Sequence, residues 1–85
     1  MTEVRDNKAA SRLEIDVDGE IAFVDYERRG GEFIILHTEV PPQHRRGGIG
    51  ARLAKAAIET GRSEGLRLKV LCPFVRDYLR KHPAA

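Results

Sequence analysis

Residues Arg45 to Gly50, reading Arg-Arg-Gly-Gly-Ile-Gly, have the types and spacing to hold an anion. They follow the apolar run Phe33-Ile34-Ile35-Leu36 and open a stretch with helical periodicity, so a glycine-rich turn joins a buried strand to a helix. A helix start leaves about four backbone N–H groups without intrahelical partners, and the aligned peptide dipoles place roughly half a positive charge there. That end attracts phosphate. Gly47, Gly48 and Gly50 lack the Cβ atoms that would keep a pyrophosphate from those N–H groups, while Arg45 and Arg46 add fixed cations. A sharp turn packed against a sheet has the same composition, so the loop alone leaves both readings standing. Two other phosphate-binding signatures are excluded. No Gly-Lys-Ser/Thr ends the loop, and no Gly-x-Gly-x-x-Gly is followed by an acidic ribose ligand in a second strand.

Four further side chains could move protons or act as nucleophiles. His37 and Glu39 share parity on one strand and face the same way, where they either accept a proton through water or form a structural hydrogen-bonded pair. Cys72 ends an apolar strand just before Pro73. The positive end of a helix starting there lowers a thiol pKa, yet a lone cysteine in an apolar strand is also a small buried hydrophobe. Tyr78 has Phe74 and His82 at helical spacing on either side, which is the pattern of a packing face.

The elements that must position these groups are legible from periodicity. Leu13, Ile15 and Val17 alternate with Glu14 and Asp16 as a half-buried strand, and Asp18-Gly19 marks a tight hairpin into Ile21 to Glu27. Arg28 to Glu32, with Gly30-Gly31, turns the chain into Phe33 through Val40, whose opening run is apolar without alternation, as in an inner strand covered on both faces. From about Gly48 to Arg62, Ile49, Leu53, Ala56, Ala57 and Thr60 fall on one helical face. Leu66, Leu68, Val70 and Cys72 alternate as a last strand, and Pro73 starts a final helix that packs Phe74, Val75, Tyr78 and Leu79 and stops at Pro83. Strand, helix, strand implies a right-handed parallel crossover. The expected fold lies between α+β and α/β: a mixed, mostly antiparallel sheet of about four strands with one β-α-β crossover and a short C-terminal helix.

Composition sets limits on partners. Eighty-five residues make one domain, with Thr2 to Ala10 as a polar lead-in. A hydrophobic share of 41% against 33% charged residues is that of a folded globule rather than a disordered chain. The net charge of +2 does not call for nucleic acid, and Phe23, Tyr26, Phe33, Phe74 and Tyr78 fall mostly at core positions instead of interleaving with cations. Arg62, Arg67, Lys69, Arg76, Arg80 and Lys81 read as solvated faces. One cysteine forms no internal disulfide, no signal-like segment opens the chain, and no run approaches the roughly 20 apolar residues of a membrane span, which points to the cytoplasm.

The arrangement Arg45-x-x-Gly48-x-Gly50 resembles the acyl-CoA pyrophosphate loop of the GNAT superfamily of N-acetyltransferases. His37-Thr38-Glu39-Val40-Pro41 before it, and Cys72-Pro73-Phe74, Tyr78 and Lys81-His82-Pro83 after the helix, are similar to the small single-domain GNAT-like (YjdJ-type) acetyltransferases, over about Val4 to Pro83. The resemblance implies acetyl-CoA as co-substrate, with Arg45, Arg46, Gly47, Gly48, Ile49 and Gly50 on the phosphates. It implies that the strands before and after the long helix splay apart, that the backbone of Val40 pairs with pantetheine, and that Val4 to Asn7 pairs with the sheet edge. It also places Cys72 beside the CoA sulfur, as proton donor or acetyl acceptor, and gives Tyr78 the position of a tyrosine acid. Glu39 stays open as a base. Larger members carry a helix pair between their first two strands, and its absence here, where Leu13 to Val17 runs directly into Ile21, implies an open acceptor side. An unidentified amine, small or macromolecular, is the expected acceptor. Non-catalytic CoA binding and a cofactor-free basic interaction module remain as alternatives. Oligomeric state is unreadable, although Leu13 to Val17 is an outer strand able to pair with a second chain.

Overall fold

The polar lead-in supplies a strand that periodicity does not reveal. In the computed structural model, which describes residues 3–83, Arg5–Asn7 forms β1, and Thr2 lies outside the described residues. Then follow β2 (Arg12–Val17), β3 (Glu20–Arg29), β4 (Glu32–Glu39), α1 (Ile49–Ser63), β5 (Arg67–Val70) and α2 (Pro73–Lys81), with 3-10 turns at Lys8–Ala10 and Pro42–His44. The sheet has five strands in the order β1-β2-β3-β4-β5, not four, antiparallel throughout except for the parallel pair β4 and β5 joined by α1. The edge pairing expected of Val4 to Asn7 is present as β1. It covers β2 from Arg12 to Glu14, so among the described residues only the far end of that strand keeps a free outer edge.

Polar contacts hold β1 where apolar ones are lacking. Arg5 bonds both Glu14 and Asp16, and Asn7 donates to Glu14. The Arg5 guanidinium holds the Asp16 carboxyl below its ordinary pKa. Tyr26 donates its hydroxyl to Asp6, and burial, with that carboxylate beside it, pushes the tyrosine pKa up.

Both helices pack on one face of the sheet. Leu13, Ile15, Ala22, Val24, Tyr26, Phe33 and Ile35 form a core there with Ile49, Leu53, Ala54, Ala57 and Ile58 of α1 and Val75 of α2. The helical face is rotated slightly from the sequence reading, with Ala54 and Ile58 buried and Thr60 turned to its own helix, where its hydroxyl donates to the Ala56 carbonyl at 2.7 Å. Among the described residues the other face of the sheet carries no helix, yet Ile34 of the inner strand β4 is buried on it, so the apolar run is covered on both sides until Leu36, which is exposed. Ion pairs such as Arg12 with Asp25 occupy that face, and Arg12 also lies over the Phe23 ring at 3.8 Å.

Gly61 fixes how closely α1 approaches the sheet. A Cβ added there would lie 2.6 Å from Leu68 Cδ2 and 3.0 Å from the Phe33 ring, so the helix sits directly on these two side chains. Gly61→Val should cost about 2 to 3 kcal/mol through overpacking, despite valine's better helix propensity, and a chemical denaturation midpoint equal to the parent's would show that α1 floats further off.

Candidate functional site

A cleft opens where β4 outruns β5. Pairing stops at Ile35 with Val70, and both Leu71 N–H and Cys72 N–H donate to the Ile35 carbonyl, at 2.9 and 3.3 Å, as the chain turns away into α2. The last strand is therefore shorter than its apolar alternation suggests, and Cys72 lies beyond it. On the other side β4 continues along β3 to Glu39, with a bulge. Tyr26 faces Ile35 and Asp25 faces His37, which leaves Leu36 as the extra residue. From Leu36 to Glu39 the edge of β4 turned toward β5 has no strand partner among the described residues, so it offers backbone donors and acceptors to an extended ligand.

The resulting cavity has a volume of about 610 Å³ and is bordered by His37, Thr38, Glu39 and Val40, then Arg45, Arg46, Gly48, Gly50 and Ala51, with Phe74 opposite. The loop therefore joins the strand edge in one site. Gly48 caps α1 with φ +78°, a left-handed conformation that favours glycine, and no side chain caps the helix. Arg52 N–H is the first to bond back, to Gly48 O at 3.1 Å, so the N–H groups of Ile49, Gly50 and Ala51 have no intrahelical partner. Arg45 folds its Nε onto the Val40 carbonyl at 3.1 Å, which leaves the Val40 N–H as that residue's available backbone group. Gln43 donates to Glu20, and His44 Nε2 stands 3.9 Å from Asp18, so the β2–β3 hairpin props the turn that feeds the loop.

Gly50 is small for a different reason from the one its sequence context suggests. An added Cβ would meet Phe74 Cζ at 2.8 Å, so the bare Cα seats an aromatic ring. Phe74 is 48% exposed and walls the cleft, whereas the helical pattern assigned it to the packed face held by Val75, Tyr78 and Leu79. A clue was present in the sequence. Glycine in the first turn of a helix costs about 1 kcal/mol relative to alanine, so it asks for a close neighbour.

The proton-handling candidates divide by position. His37 and Glu39 stand on the same side of β4 with Nε2 and Oε2 3.4 Å apart, each side chain 60% exposed, and both border the cleft. Cys72 is 3% exposed and belongs to the core; its Sγ donates to Thr38 Oγ1 at 3.5 Å, and Thr38, not Cys72, borders the cavity. Tyr78 is half-buried, packs against the core and lies against the His82 ring at 4.5 Å; it is not among the residues that border the cleft, although Phe74, one turn earlier on α2, is. Thr38 was not singled out from the sequence. The bulge brings its hydroxyl to Cys72, and bulges leave no local signature in an apolar run.

No group of three or more candidate metal ligands occurs among the described residues, and none of their helices is long and apolar enough to cross a membrane. Residues 12–85 match the family model described as GCN5-related N-acetyl-transferase. The chain is 39% identical over 59 residues to Protein NATD1 of Bos taurus, a stretch covering 68% of this chain and 52% of that protein. It is 37% identical over 59 residues to Protein NATD1 of Homo sapiens and of Gallus gallus, covering 68% of this chain and 52% and 54% of those proteins. The match thus spans about half the length of these curated relatives. With three quarters or more of the fold inside one family model, and with the parallel crossover and loop placed as above, this chain belongs to the GCN5-related N-acetyl-transferase family.

Proposed function

We propose that the chain is a minimal acetyl-CoA-dependent N-acetyltransferase that transfers an acetyl group from acetyl-CoA to an amine. The observation that carries this reading is one cleft that joins an unpaired strand edge to an uncapped helix start, flanked by Arg45 and Arg46. The phosphates of CoA sit on Arg45, Arg46, Gly47, Gly48, Ile49 and Gly50, which supply N–H groups and cations. Pantetheine lies along β4 and pairs with the Val40 N–H. The thioester reaches the part of β4 that carries Thr38, and the amine arrives beside Glu39 and His37, which accept its proton through water. Cys72 and Tyr78 are the remaining candidates for proton supply.

The acceptor approaches an open surface. β1 and β2 are joined by the 3-10 turn Lys8–Ala10, where larger members carry a helix pair, and among the described residues no helix covers the sheet face beside His37 and Glu39. Because Arg5–Asn7 is the first strand, the shortening falls one connection earlier than the hairpin between Val17 and Ile21 where the sequence pattern puts it. Few walls means few contacts to orient a small amine, so the site favours a large acceptor or one that a partner helps to hold.

A second reading, a non-catalytic acyl-CoA-binding module, draws support from the fact that neither Cys72 nor Tyr78 is among the residues that border the cleft. Thermal melts with millimolar CoA, acetyl-CoA and ATP test what both readings share. A ligand at about a hundred times its dissociation constant adds roughly 2.7 kcal/mol, which in a domain of this size moves the midpoint by about 10 to 20 °C. Both CoA species should produce that shift and ATP a smaller one. No shift with either would overturn both readings and leave a basic interaction module without cofactor.

A further inference from the structure

We infer that the Thr38 hydroxyl is the group that protonates the departing CoA thiolate, with Cys72 behind it as the proton source. This rests on the acetyl-transfer reading and assigns a residue that reading leaves out.

The geometry is a two-member chain. Cys72 is buried and is not among the residues that border the cleft, whereas Thr38, which touches its sulfur, is. Its thiol donates to Thr38 Oγ1 at 3.5 Å, and Thr38 borders the cleft. A hydroxyl accepts with its lone pairs and donates its one proton. With Cys72 filling an acceptor position, and no other side-chain hydrogen bond on Thr38 among the described residues, the hydroxyl proton is left for the cleft.

The step balances without a further reactant. The amine nitrogen bonds to the thioester carbon, and as the tetrahedral intermediate collapses the C–S bond breaks, leaving its electron pair on sulfur. The sulfur takes the proton of Thr38 Oγ1, and Oγ1 takes the proton of Cys72 Sγ. The attacking nitrogen gives its own proton to solvent by way of Glu39 or His37. After CoA leaves, one proton returns from solvent through the Thr38 hydroxyl to Cys72, so the net transfer is from amine to CoA.

The size of the effect follows from the leaving group. Positioned acids contribute about 10² to 10⁴, and a thiolate whose acid has a pKa near 8.5 leaves readily, so the lower end applies. Thr38→Val keeps the β-branched shape a strand accepts while removing the hydroxyl, and Thr38→Ser keeps the hydroxyl. The assay is acetyl transfer from acetyl-CoA to hydroxylamine, a small nucleophile that needs no acceptor pocket, measured above the protein-free rate, with CoA affinity by calorimetry alongside. Thr38→Val should lower kcat about a hundredfold with CoA affinity unchanged, and Thr38→Ser should stay within a few-fold of the parent. Cys72→Ala should also be slow, and the Thr38→Val/Cys72→Ala double variant no slower than Thr38→Val, because members of one relay are not additive.

A Thr38→Val variant as fast as the parent would overturn the inference, as would one that loses CoA binding, which would make Thr38 a cofactor contact. Multiplying effects in the double variant would separate Cys72 from Thr38 and overturn the relay. A parent that binds CoA but does not accelerate transfer would refute the transferase reading and this step with it, whereas a parent that binds no CoA would refute the cofactor reading itself.

Discussion

Gly48→Val should abolish CoA binding, raising the dissociation constant at least about a hundredfold, while leaving a folded protein. Two effects combine at this position. Gly48 has φ +78°, and a β-branched residue there costs about 1 to 3 kcal/mol in backbone strain, relieved only by moving the loop. An added Cβ would meet nothing within 4 Å, so the side chain does not collide with the protein; it projects into space bordering the cleft, where the pyrophosphate is proposed to sit. The strain is confined to one turn. A control separates it from lost binding: Gly30 also has positive φ, +57°, and open space around it, but sits in the turn between β3 and β4 and does not border the cleft. Gly30→Val should lower the melting midpoint by a similar amount and bind CoA normally. If calorimetry found unchanged affinity in Gly48→Val, the phosphate site would lie elsewhere on the molecule.

That experiment concerns the part of the molecule that local sequence describes well. Loop, helix start and preceding apolar strand are contiguous, and their chemistry depends on residue types at fixed offsets. What escaped the sequence depends on distant partners. β1 is Arg-Asp-Asn, with no apolar residue to show alternation, and it is a strand because Glu14, Asp16 and Tyr26 wait for it across the sheet. The bulge at Leu36 lies in a run of four apolar residues, where strand parity has no polar marker to reveal a slip. It is this bulge that sets Thr38 toward Cys72 while His37 and Glu39 occupy the other side. Cys72 looked like the end of a strand because the alternation from Leu66 continues through it, yet pairing ends at Val70 and the residue enters the core with the start of α2. Helical spacing puts Phe74 on the packed face, as it does most aromatic residues. Only the tertiary approach of Gly50 shows that it walls the cleft instead.

The choice of which sheet face is covered carries the acceptor argument, and one pair of substitutions tests it. Phe33→Ala should be among the most damaging single changes in the chain. Phe33 is fully buried, stacks on Tyr26 with centroids 4.9 Å apart, and lies under α1 where Gly61 approaches its ring. Removing a buried phenyl ring costs about 3 to 5 kcal/mol, against about 4 to 13 kcal/mol for the whole stability of a domain this size. The melting midpoint should fall by roughly 15 to 30 °C, and a variant at the low end of the stability range would not fold at all. Phe23, on the face that carries no helix among the described residues, has the Arg12 guanidinium over its ring and the edge of His37 6.3 Å away, and is only half-buried. Phe23→Ala should therefore cost about 1 kcal/mol, a few degrees in the same melt. Equal losses from the two substitutions would mean that both faces are covered in solution, and the surface beside His37 and Glu39 would then be closed to a large acceptor. A large gap between them leaves that face free, and with it an approach by which an amine reaches the cleft without crossing the helices.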